Sequence, residues 1–127
     1  MKKHSKTSLT LALSLVMVLS LSLMAFSADT KALINALNDE NPTARSNAAL
    51  KLGELKAKEA VEPLLKMLEK EKASNVRIVV AVALLKIGDE KALSTLKKLA
   101  EKDKNQTVRT VLQGVVKKME EAKLAKK

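Results

Sequence analysis

Arginine occurs at only three places in the chain, Arg45, Arg77 and Arg109, and both intervals are 32 residues. Other residues keep the same register. An acid stands six positions before each arginine, at Asp39, Glu71 and Asp103, and Ala44, Val76 and Val108 come immediately before it. After the first two arginines, Leu52 and Leu84 match at seven residues, Leu55 and Ile87 at ten, Ala60 and Ala92 at fifteen, and Leu64 and Leu96 at nineteen. A period of this length means stacked supersecondary units, because one such unit cannot bury its apolar face without a neighbour.

Each unit reads as two helices. Pro42 to about Lys56 places Ala48, Ala49, Leu52 and Leu55 at helical spacing, with Pro42 suited to a first turn and Gly53 near the end. Ala60 to Lys70 follows, with Val61, Leu64, Leu65 and Leu68 on one side; Pro63 fits only near the start of that helix, where its missing N–H costs nothing. The second unit runs from about Asn75 to Ile87, turns at Gly88-Asp89 and continues from Lys91 to Lys102. A last helix covers Gln106 to Ala122 with Val108, Val111, Leu112, Val115 and Met119 inward, and a short lone helix over Thr30 to Leu37 precedes the array. The run from Ile78 to Leu85 is continuous and rich in β-branched residues, so periodicity alone would also allow a buried strand. The register decides for a helix, since Ser46 to Gly53 fills the same slot in the first unit. The fold expected is all-α: a short solenoid of about two and a half helical hairpins.

Ahead of the repeats stands a leader. Lys2, Lys3 and Lys6 precede an apolar stretch from Leu9 to Met24, and Ala25-Phe26-Ser27 offers small residues at −3 and −1. This is the three-part pattern of a secretory signal peptide over residues 1–27, leaving residues 28–127 as the repeat domain. Cleavage after Ala28 would put Phe26 at −3 and fits less well. The competing reading is an uncleaved membrane anchor, since Leu9 to Phe26 approaches spanning length. No cysteine follows the apolar run, which excludes lipoprotein anchoring. The product is expected to be periplasmic or extracellular.

Composition narrows the chemistry. His4 and Phe26 are the only histidine and aromatic residue, and cysteine is absent, so the part after the leader lacks the imidazole, thiolate and metal-ligand side chains on which most hydrolytic and transfer reactions depend. No glycine-rich phosphate loop is present. Neither an enzyme nor a cofactor is expected. The mature part carries 21 Lys and Arg against 14 acids, an excess that suits acidic partners, although Lys- and Glu-rich helices also serve simply as a soluble surface.

The acid, the Val-Arg pairs at Val76-Arg77 and Val108-Arg109, the Ala83-Leu84 centre and the Ile87-Gly88-Asp89 turn resemble HEAT-like repeats of the type found in phycobilisome lyases. The first unit departs from that pattern at Leu55-Lys56-Ala57, where Gly-Asp is missing, and the third at Met119-Glu120-Glu121, where the helix runs on. The resemblance covers about Ala32 to Glu120. It implies a helical scaffold and a hydrogen-bonded ladder in which Asp39, Glu71 and Asp103 pair with Arg45, Arg77 and Arg109 to join neighbouring units; arginine suits this through its planar fork. The alternative use of the arginines is to grip an anion. Second helices in such scaffolds line the concave side, and here Lys66, Lys70, Lys98 and Lys102 recur on them at the repeat interval. These lysines are the candidate partner-binding residues of a protein–protein interaction module, with a solvated face as the alternative. A second function class is a binder of polyanions or anionic membrane surfaces, distinguished by steep salt dependence. A third is a bilin lyase by analogy, which the missing residue types and the leader oppose. Nucleic acid is not expected, because no aromatic platform exists to stack bases. Self-association is expected only if the outer faces of the end helices are apolar, and membrane contact only if the leader is retained.

Overall fold

A computed structural model describes residues 4–127, so the leader lysines Lys2 and Lys3 lie outside the described residues. Among the described residues the chain is helical throughout and contains no strand: α1 (His4–Ala36), α2 (Pro42–Glu54), α3 (Val61–Lys70), α4 (Ser74–Ile87), α5 (Leu93–Lys102) and α6 (Gln106–Ala125). Single 3-10 turns at Lys58–Ala60 and Glu90–Ala92 lead into α3 and α5. The all-α hairpin array read from the sequence is therefore the fold. The lone helix expected over Thr30 to Leu37 is not a separate element but the end of α1. Neither glycine nor proline interrupts the chain between the apolar run and Ala36, so nothing stops helix propagation there.

The chain falls into two compact units, one ending at Lys31 and one running from Ala32 to Lys127. In the first, the leucines, valines and methionines from Leu9 to Met24 are exposed. Its serines and threonines return their hydroxyls to the helix, as when Ser20 donates to the Met17 carbonyl at 2.8 Å and Ser14 to that of Leu11 at 2.9 Å, which keeps polar residues compatible with an apolar surface. The helical stretch Thr7–Ala36 contains an 18-residue window with a mean hydropathy of 2.3 and is long and apolar enough to cross a membrane by length and composition.

In the second unit α2, α4 and α6 lie side by side as one layer, while α3 packs on α4 and α5 on α6 as the other. Leu52, Leu64, Leu68, Leu84, Leu96 and Leu112 are fully buried between the layers, with Val76, Val80 and Val108. The sequence of α4 follows from its place in the middle. Flanked by α2 and α6 and covered by α3, it has no fully solvated side, so Ile78 to Leu85 is apolar without a helical period.

Each first helix ends where the chain turns. Gly88 closes α4 with φ 70°, and Lys56 takes the equivalent place after α2 with φ 50°. Only glycine adopts this left-handed conformation without a Cβ penalty. Lys56→Gly is accordingly expected to raise stability by about 0.5–1 kcal/mol in a urea melt followed by circular dichroism. An unchanged midpoint would show that the lysine is unstrained there.

The exposed side of α6 is polar or glycine from Gln106 to Lys118, with Thr107, Thr110, Gln113, Gly114 and Lys117 along it. End-on self-association requires an apolar outer face, and α6 does not supply one over this length. A polar terminal helix is what ends a repeat array without aggregation.

Candidate functional site

The three arginines and their acids sit at the loops that join one hairpin to the next. Arg77 Nε donates to Asp103 Oδ2 at 2.8 Å and Nη2 to Oδ1 at 2.9 Å, while Nη1 reaches the carbonyls of Glu71 and Lys72, both at 3.0 Å. Arg45 repeats this arrangement 32 residues earlier. It forks onto Glu71 at 2.7 and 3.0 Å and onto the carbonyls of Asp39 and Glu40 at 2.8 and 2.9 Å. Arg109 reaches the carbonyl of Asp103 and has no carboxylate fork among the described residues. The pairing is thus staggered. Arg45 and Arg77 each take main-chain oxygens from the loop entering their own hairpin and the carboxylate from the loop entering the next.

Each acid is also held by its own loop. Asp39, Glu71 and Asp103 accept the N–H two residues on, from Asn41, Ala73 and Asn105, at 2.8, 3.0 and 2.8 Å. Asn41 and Asn105 then cap α2 and α6 through their own side chains, accepting from Thr43 and Val108. Side-chain exposure is 5% for Arg77 and 6% for Asp103, and 19% and 5% for Arg45 and Glu71. Asp39 is exposed, and its carboxylate pairs with no arginine among the described residues.

Burial and pairing compete at these carboxylates. At Asp103 burial pushes the pKa up, but hydrogen bonds from Arg77 and the Asn105 N–H, with the charges of Arg77 and Arg109, outweigh it and hold the group below its ordinary value. At Glu71 the Arg45 hydrogen bond leads, opposed by burial and helped by the Ala73 N–H, and the pKa is again lowered. The Glu71 hydrogen bond raises that of Arg45 in return. A carboxyl whose folded pKa is depressed contributes stability that is fully present above its unfolded value and is lost as pH falls through the folded one. Unfolding midpoints are therefore expected to be flat above about pH 5 and to drop below about pH 4, where ordinary carboxyls titrate. Glu71→Gln with Asp103→Asn should flatten that acid limb, and a limb of unchanged slope would place its origin elsewhere.

The lysines lie on the second helices. Lys66 and Lys70 on α3, and Lys98 and Lys102 on α5, are all exposed, and none joins an ion pair among the described residues. The neighbouring Lys97 and Lys123 do, with Glu120 at 2.5 Å and Glu90 at 3.3 Å, and these pairs tie α6 back to α5 and its leading turn.

Beside the first of these helices is a groove of about 550 Å³, between the last turn of α1 and α3. Ile34, Leu37, Pro63 and Met67 form its apolar floor, and Lys66, Lys70 and Lys72 stand on its rim with Asp39. The sequence signal for it is a break in register: Lys66 and Glu69 occupy the places of Ile34 and Leu37 one unit later. Among the described residues no cluster of three or more acids, histidines or cysteines could hold a metal.

A helical hairpin repeated at 32 residues, with an arginine forked onto the next hairpin's acid, is matched by the family model of HEAT repeats over residues 30–115. The chain belongs to the HEAT repeat family. Its match starts near the end of α1 and stops within α6, so the HEAT repeats account for most of the second compact unit. HEAT repeats commonly mediate protein–protein interaction, and scaffolds of this kind are generally non-enzymatic. No curated protein matches the chain significantly.

Proposed function

We propose that this HEAT repeat chain is an exported, non-enzymatic binding module that takes an acidic protein partner on its lysine-bearing second helices. The observation that carries the reading is the recurrence of exposed lysines at matching places on both second helices. Lys97 and Lys123 are spent on ion pairs within the fold, whereas Lys66, Lys70, Lys98 and Lys102 recur at equivalent places and engage no acid among the described residues. Charges left solvated at a repeated position are available to a complementary surface, where they speed encounter and fix register.

Export is supported by the apolar helix and by the basic residues ahead of it. Lys2, Lys3 and Lys6 keep the start of the chain on the cytoplasmic side and direct the remainder of it outward. The cut falls after Ser27, so the released protein begins at Ala28 and is periplasmic or extracellular. Terminal sequencing of the exported form tests this, and an intact leader on a membrane-bound product would replace release by anchoring.

The binding role is tested by affinity capture from the exported fraction at low and high salt, with the wild-type protein beside one in which Lys66, Lys70, Lys98 and Lys102 are all glutamate. A discrete acidic protein retained by the first and lost from the second is the expected result. Retention by both, or adsorption to anionic vesicles and soluble polyanions that fades steeply with salt, would overturn the acidic-protein reading.

A further inference from the structure

We infer that the groove between the end of α1 and α3 docks an acidic partner segment through one aliphatic side chain. This rests on the binding role proposed above and narrows it to one end of the array. The groove exists because the first second-helix is cut short. α1 ends at Ala36, whereas α3 continues to Lys70, the equivalent of position 38. One repeat on, Lys66, Glu69, Thr95 and Leu99 stand where Ile34, Leu37, Pro63 and Met67 stand here, so the apolar floor is peculiar to the first position.

The rim fixes the sign of the occupant. Arg45 and Glu71 neutralise each other, which leaves Lys66, Lys70 and Lys72 against Asp39 alone. A volume of about 550 Å³ lies in the range of sites that hold a small ligand or a side chain with its flanking backbone. An aliphatic group can lie on Ile34, Pro63 and the adaptable thioether of Met67 while carboxylates on either side of it reach the three ammonium groups.

The test uses the full chain in uncharged detergent and a short fluorescein-labelled peptide of Asp and Glu around one central Leu, read by anisotropy. Lys66→Glu with Lys70→Glu should weaken binding by about tenfold or more, whereas Lys98→Glu with Lys102→Glu should change it by less than about twofold. Replacing the peptide's Leu by Ser should weaken binding by about tenfold through lost apolar burial. Ile34→Ser in the protein should remove that sensitivity to Leu, a readout that a merely unfolded variant, checked by circular dichroism, would not imitate. Equal losses from both lysine pairs would sink the groove while leaving the broader lysine surface standing. Indifference to the Leu, or full competition by an oligothymidylate of matched charge, would also overturn it. No binding of the peptide ends the docking site, and the partner-binding role then stands or falls on its own capture experiment.

Discussion

Arg77→Ala is expected to cost the repeat domain about 3 kcal/mol, as removing one partner of a buried ion pair does. The Asp103 carboxylate, 6% exposed, would keep the Asn105 N–H but lose both guanidinium donors, and the carbonyls of Glu71 and Lys72 would lose theirs. For a domain of this size the melting temperature should fall by roughly 10–20 °C. Lysine at this position restores charge without the fork, so Arg77→Lys should recover less than half of the loss. Arg109→Ala is the internal control. Among the described residues its side chain hydrogen-bonds only the Asp103 carbonyl, and a loss within about 1 kcal/mol is expected. Urea melts of the three variants in uncharged detergent decide the matter: equal losses for Arg77→Ala and Arg109→Ala would mean that the carboxylate fork contributes nothing.

Gly53→Ala should destabilise the domain by about 1–2 kcal/mol even though alanine is the better helix former. A Cβ at Gly53 would stand 2.8 Å from Ala83 Cα and 3.1 Å from its Cβ, so α2 would have to move away from the backbone of α4. Gly114→Ala makes the same chemical change where nothing lies within 4 Å, and there the propensity gain of about 0.5–1 kcal/mol should appear unopposed. Opposite signs for one substitution at two helical glycines would establish that the contact of α2 with α4 depends on the missing methyl. A gain at both sites would refute it.

The repeat period made the architecture legible. Once Arg45, Arg77 and Arg109 set the register, the β-branched run in α4 could be assigned to a helix, and the buried Leu52, Leu84, Leu64 and Leu96 fell in matching slots. Boundaries were less accessible. Ala60 and Lys91, read as helix starts, lie in 3-10 turns, because the turn chemistry at Lys58–Ala60 and Glu90–Ala92 leaves no apolar period to mark it. The staggered pairing was hidden for a different reason. Acid to arginine recurs at six residues and arginine to the following acid at 26, so spacing alone cannot choose between them. Only the direction of the arginine side chain does. The groove is a third case: its residues are ordinary apolar and basic ones, visible only as a departure from the register at Ile34 and Leu37.

The stagger has a mechanical consequence. Arg45 and Arg77 are each rooted in one hairpin and hold the threshold of the next, so a pull along the stack loads the two charged forks in series with the apolar layers. No hairpin can peel off without also releasing a link that belongs to its neighbour. Stretched by its two ends, the domain should yield in one abrupt step, as a single spring does, and not as beads leaving a string.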